Sequence, residues 1–220
     1  SVESFNSLGP FSPAKYTTIL LDLPGFGGSA RPPLSWGLPE YGEFVGRFLK
    51  KTNLEPYGVI GHSNGGAIAI FANGSGIIKL SKLVLIGSSG VRSTATFKKT
   101  IHKFLAKIAK LLVFLLPKNT QRKIKKKLYT KIGSDYMVVE DLQEIFKRIV
   151  SYDVLADAKK ITTPTLLIYG SNDLVTPLWQ ADKITGELQN SKLEIIDGAE
   201  HFPHKEQPGK VKKLIEDFLK

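Results

Sequence analysis

The sequence predicts an α/β protein: a mostly parallel sheet flanked by helices, with a helical cap inserted into it. Three observations predict it. Short apolar, β-branched runs bounded by Gly, Pro or Asp recur along the chain, amphipathic helical patterns lie between several of them, and one long segment has no strand-like run at all. Buried parallel strands are apolar on both faces and read as continuous hydrophobic runs, and their alternation with helices marks a parallel α/β sheet.

The expected strands, in chain order, are "YTTILLD" (Tyr16 to Asp22), "YGVIGH" (Tyr57 to His62), "KLVLIGSS" (Lys82 to Ser89), "PTLLIYG" (Pro164 to Gly170) and "KLEIID" (Lys192 to Asp197). Tyr41, Phe44, Val45, Phe48 and Leu49 follow the apolar spacing of one helix face, and Val211, Leu214, Ile215, Phe218 and Leu219 repeat it near the C-terminus. From about Thr94 to Lys160 the strand rhythm stops. Phe97, Ile101, Phe104, Leu105, Ile108, Leu111, Leu112 and Leu115 keep helical spacing instead. The domain reading is therefore a core of residues 1–92 and 161–220, with residues 93–160 as the helical cap.

The 220 residues carry a net charge of +11, and its placement is uneven. Between Ser93 and Ser134 there are twelve Lys or Arg and no Asp or Glu, while the remainder holds 19 basic and 20 acidic residues. Lys99, Lys103, Lys107 and Lys110 share the side of a helix opposite its apolar stripe. The plain reading is a lid with a wet cationic face; the sharper one is peripheral contact with an anionic membrane surface. Nucleic-acid binding is not expected, because the segment has little aromatic interleaving and no reading motif. Cysteine is absent, which removes disulfides, thiolate metal sites and a Cys nucleophile, and favours the cytoplasm. The opening "SVESFNSLGPFSP" does not read as a secretory signal. No His, Asp and Glu cluster has metal-ligand spacing, so no metal is expected.

Chemistry concentrates at "GHSNGG", Gly61 to Gly66. The surrounding "YGVIGHSNGGAIAIFANG" reads as strand, sharp turn and helix, the context in which a serine becomes an exposed nucleophile. Gly61 and Gly65 are expected where a Cβ would clash. Serine needs a base, and the base needs an orienting acid. Asp173 follows the end of the strand "PTLLIYG", with Asp197 as a competitor. His201 lies in the loop before the last helix, with His204 three residues on.

Four blocks, "DLPGFGGSARP", "GHSNGG", "PTLLIYGSNDLVTP" and "GAEHFPHKEQP", occur in an order that resembles the α/β-hydrolase superfamily, its serine-nucleophile, cap-containing members in particular. The resemblance covers almost the whole chain. It implies Ser63 as nucleophile, Asp173 as acid, His201 as general base and the backbone N–H of Asn64 as one oxyanion donor. It also implies that no cofactor is needed. Phe26, in the glycine-rich loop, and His62, inside the turn, are substrate-pocket candidates, His62 being equally readable as local packing.

The chain departs from that family at its start. Members usually begin with further strands and a His-Gly loop that supplies the second oxyanion donor, so the expected fold is an N-terminally truncated α/β hydrolase. The expected activity is cleavage of a carboxylic ester, or related acyl bond, of a small-molecule substrate. The alternatives are hydrolysis of a C–C bond in a diketone, or a catalytically impaired fragment whose basic cap binds membrane.

Overall fold

A computed structural model of the chain describes residues 2–11, 15–33, 36–92 and 143–220. The chain divides between two compact units, one of Ser1–Val91 with Asp141–Lys220 and one of Arg92–Glu140. The basic helical pattern from Phe97 to Leu115 lies outside the described residues.

Four parallel strands form the sheet of the first unit, in the spatial order β1 (Gly58–His62), β2 (Lys82–Ile86), β3 (Thr165–Gly170) and β4 (Ser191–Ile196). Ile60 stands beside Val84, Val84 beside Leu166, and Leu166 beside Lys192. Both faces are covered, as continuous apolar strands require. Because side chains alternate across a strand, Leu83, Leu85, Leu167 and Tyr169 enter one core cluster while Val84, Ile86, Leu166 and Ile168 enter the other.

On the first face lie α1 (Leu38–Lys51), α2 (Asn64–Gly74), α3 (Gln143–Ser151), α4 (Leu155–Ala158) and α5 (Leu178–Glu187), which contribute Tyr41, Ile70, Ile149, Ala158 and Ile184 to the core. Helix α1 starts where the Gly37 N–H donates to Glu40 Oε2 at 2.7 Å, and its last turn carries Lys50 and Lys51 against the helix dipole. On the second face α7 (Pro208–Leu219) buries Val211, Ile215 and Leu219, joined by Leu8 of a 3-10 helix, Val2–Leu8. The short α6 (Pro203–Glu206) precedes α7. Among the described residues no helix is long and apolar enough to cross a membrane.

Two expectations meet a different outcome. Helices α3 and α4 fall in the interval assigned to the cap, yet Ile145, Ile149, Val154 and Ala158 are buried in the cluster of Leu38 and Tyr41. Their apolar face is spent on the core. Residues 16–22 form no strand, and Ile19 and Leu20 are 52% and 41% exposed. Among the described residues β1 is bonded to β2 alone, so no ladder reaches this run. A strand is defined by its partner's hydrogen bonds, and β-branched composition does not replace them.

Candidate active site

The strand β1 and the helix α2 are separated by one residue, Ser63. The turn is so tight that Ser63 takes φ 53° and ψ −118°, a conformation that residues bearing a Cβ avoid. The surroundings hold it there. Its N–H donates to the Ile86 carbonyl at 3.0 Å, and its own carbonyl accepts from Gly66 at 3.0 Å and from Ser89 at 3.1 Å.

The glycines around it have unequal duties. A Cβ on Gly61 would stand 2.6 Å from the Gly65 carbonyl oxygen, and one on Gly66 would stand 2.5 Å from Ser88 Oγ. A Cβ on Gly65 would meet nothing within 4 Å. The expectation that Gly61 and Gly65 both avoid a clash thus holds for the first and moves to Gly66 for the second. The helix turns Gly66, not Gly65, toward the end of β2.

Ser63, His201 and Asp173 are brought together. His201 Nε2 lies 3.1 Å from Ser63 Oγ, and His201 Nδ1 lies 2.9 Å from Asp173 Oδ2. A carboxylate only accepts, so the Nδ1–H donates to it and the free Nε2 faces the serine hydroxyl. Asp173 and His201 are 3% and 4% exposed, so the pair is nearly closed to water, where its electrostatic interaction is strengthened.

Four hydrogen bonds converge on the Asp173 carboxylate. Oδ1 accepts the N–H groups of Val175 and Thr176, each at 2.8 Å, while Oδ2 accepts the Thr176 hydroxyl at 2.6 Å beside the imidazole. Burial pushes this carboxyl up, but the bond and charge of His201 and the two bonds from Thr176 outweigh it and hold the group below its ordinary range. Burial and the Asp173 charge together raise the Tyr169 phenol, whose hydroxyl donates to the Ser88 carbonyl at 2.7 Å.

Asn64 is the first residue of α2, where backbone N–H groups have no intrahelical acceptor. Its side-chain Oδ1 accepts the Ser89 hydroxyl at 2.9 Å.

The other candidates are placed elsewhere. Phe26 packs on the first core cluster, its ring 6.5 Å from that of Tyr41. His62 turns toward the loop of His201: its Nε2–H donates to the His201 carbonyl at 2.9 Å, and its ring lies 4.9 Å from those of His201 and Phe202 and 4.6 Å from that of His204. Burial, then the charges His204 and His201 would carry, keep His62 well below its ordinary value, and so neutral. His204 is fully buried, with Nε2 3.3 Å from Ser4 Oγ and its ring stacked on Phe5. Asp197, just past the C-terminal end of β4, is exposed.

Sequence reasoning missed Thr176, Ser88 and Ser89. Only Thr176 left a trace, the Asp-x-x-Thr spacing in which an Asp side chain accepts backbone N–H groups two and three residues on. Among the described residues no group of three or more His, Cys, Asp or Glu is arranged to hold a metal ion.

A doubly covered parallel sheet that carries a strained Ser–His–Asp line at its C-terminal edge defines an α/β protein of hydrolase architecture. The alpha/beta hydrolase family pattern matches residues 2–214, and the chain belongs to that family of enzymes. It is 27% identical to the uncharacterized hydrolase YugF of Bacillus subtilis, over 100% of this chain and 86% of that one. It is 24% identical to the monoacylglycerol lipase ABHD6 of Bos taurus, over 97% and 70% of the two chains. Among solved structures it resembles a bromoperoxidase from Bacillus anthracis with a TM-score of 0.75 and 21% identity, covering 100% of this chain and 87% of the other.

Proposed function

We propose that this protein is a serine hydrolase that cleaves a carboxylic ester through an acyl-enzyme on Ser63. The observation that carries the reading is the unbroken line from Asp173 through His201 to Ser63, at 2.9 and 3.1 Å, on a serine held in a strained turn. His201 Nε2 takes the Ser63 proton as Oγ attacks the carbonyl carbon. The tetrahedral oxyanion forms beside the backbone N–H of Asn64. The intermediate collapses to an acyl-serine, and the leaving alkoxide takes the proton from His201. Water, deprotonated by the same Nε2, then attacks the acyl group; collapse releases the acid and returns the proton to Ser63.

Asp173 stays ionised throughout, holding the ring with Nδ1–H inward and stabilising the imidazolium. The name of the relative ABHD6, a monoacylglycerol lipase, supports an ester of an apolar acyl chain as the substrate class. A fluorophosphonate probe and a series of p-nitrophenyl esters of increasing acyl length test the reading. Wild-type protein should label and turn over esters, and Ser63→Ala should lose labelling and at least about 10⁴-fold of kcat. Equal labelling of the two proteins, or an inert wild type, would refute it.

A further inference from the structure

The side chain of Thr176, 1% exposed, stands among three polar groups that belong to different parts of the chain. Its Oγ1 lies 2.6 Å from Asp173 Oδ2, 3.1 Å from the Gly87 carbonyl oxygen and 3.3 Å from His201 Nδ1. Gly87 follows the last residue of β2, whereas Asp173 and Thr176 sit in the loop after β3. One hydroxyl thus spans the acid, the base and the neighbouring strand end. It has a single proton to give, and the shortest separation assigns that proton to Oδ2.

We propose that Thr176 is a positioning residue of the acid–base pair, its hydroxyl fixing the carboxylate rotamer that presents Asp173 Oδ2 to the His201 ring. The inference rests on the reading of Ser63, His201 and Asp173 as the catalytic line.

The terminal torsion of an aspartate is a broad two-fold rotor, so nothing intrinsic to Asp173 selects which oxygen faces the imidazole. Backbone N–H groups hold Oδ1 from the loop side. Oδ2 has no backbone donor among the described bonds, and apart from the imidazole it is held by Thr176 alone. Without the hydroxyl the carboxylate is still held through Oδ1, but Oδ2, the oxygen that faces the ring, keeps the imidazole as its one direct partner among the described bonds. The Gly87 carbonyl, 3.1 Å from Oγ1, is the competing acceptor for the same proton and lies at the neighbouring strand end. The other titratable group facing the carboxylate is Tyr169, from β3, and it stays neutral. The depressed Asp173 carboxyl is consistent with the added donor.

Thr176 also carries a buried methyl, and two variants separate the roles. Thr176→Val keeps the shape and removes the hydroxyl; Thr176→Ser keeps the hydroxyl and removes the methyl. With p-nitrophenyl butyrate, T176V should lower kcat roughly tenfold at unchanged KM, the loss expected for a hydrogen bond to a charged group, while T176S stays within about threefold of wild type. The opposite order would assign the residue to packing and overturn the inference. The second measurement does not need activity: a ¹³C titration of the Asp173 carboxyl should move up by about half a unit or more in T176V and stay in place in T176S. If wild-type protein neither labels nor turns over ester, the serine-hydrolase reading fails, and an Asp173 titration identical in wild type and T176V would then sink the role of Thr176 separately.

Discussion

Two runs in this chain look alike on paper, "YTTILLD" at Tyr16–Asp22 and "TLLIYG" at Thr165–Gly170. The second is strand β3, with every residue buried and neighbours bonded on both edges. Among the described residues the first has no ladder, and its Ile19 and Leu20 face solvent. Each leads to an aspartate held below its ordinary range, again by different means. Burial opposes ionisation of Asp173 and is overcome by His201 and Thr176, whereas half-buried Asp22 is favoured chiefly by the N–H groups of Gly28 and Val2. What differs between the runs is company, not composition. A strand with partners on both edges fixes the loop that follows it closely enough to place Asp173 2.9 Å from His201; a run with no ladder among the described residues fixes only a loop.

The largest test of that difference is at the two acids. Asp173→Asn should lower kcat by about 10⁴, because the amide holds the wrong imidazole tautomer, whereas Asp22→Asn should leave kcat within a few-fold of wild type. Comparable losses in ester turnover would erase the contrast. Truncations in the runs themselves come next. Leu167→Ala, at a fully buried position, should cost about 2–5 kcal/mol in denaturant unfolding, and Leu20→Ala, 41% exposed, about 0.5 kcal/mol or less.

A smaller effect lies where the N-terminal segment meets the loop of His201 and His204. His204 is contacted by Ser4, Ser7 and Phe5, and burial followed by the Lys205 charge pulls its imidazole down to about 4. In the unfolded chain it takes a proton below about pH 6.5. The unfolded state therefore binds more protons between these values, so the stability this group contributes is whole above the ordinary histidine value and drains away as pH falls toward the folded one. Between about pH 7 and pH 5 the loss should reach about 2 kcal/mol, and His204→Gln should flatten that part of the curve. An unchanged slope in the variant would mean that the N-terminal segment does not keep His204 dry. The smallest contrast is inside the elbow: Gly65→Ala, with open space for its Cβ, should stabilise α2 by up to about 1 kcal/mol, while Gly66→Ala, which would press on Ser88, should destabilise it by about 1–3 kcal/mol.

Much of this architecture is legible in the sequence. Strands β1 to β4 stand within two or three residues of the apolar runs that announced them, and the faces of α1 and α7 follow the spacing of Tyr41 to Leu49 and Val211 to Leu219. These signals are local, since burial on one or both sides writes itself into neighbouring residues. The relation of Ser63 to Asp173 and His201 was legible in part, through block order. The pocket roles expected for Phe26 and His62 were not supported by position: one packs on Tyr41, the other beneath the loop of His201. Thr176 was invisible as a partner, because an interior threonine after a strand is ordinary until its neighbours are known.

By itself, then, the sequence determined the parallel α/β architecture, the strand–turn–helix around Ser63 and a short set of acids and bases that chain order could bring near it. Block order already favoured His201 over His204 and Asp173 over Asp197; tertiary structure supplied the contacts that join them to Ser63, and it alone decided that Thr176 meets the carboxylate and that the run at Tyr16–Asp22 stays outside the sheet. The physical reason is common to all three. Periodicity records which face of an element is buried, but a hydrogen bond needs its donor and acceptor within about 3 Å, and only the folded chain sets that separation between residues far apart in sequence.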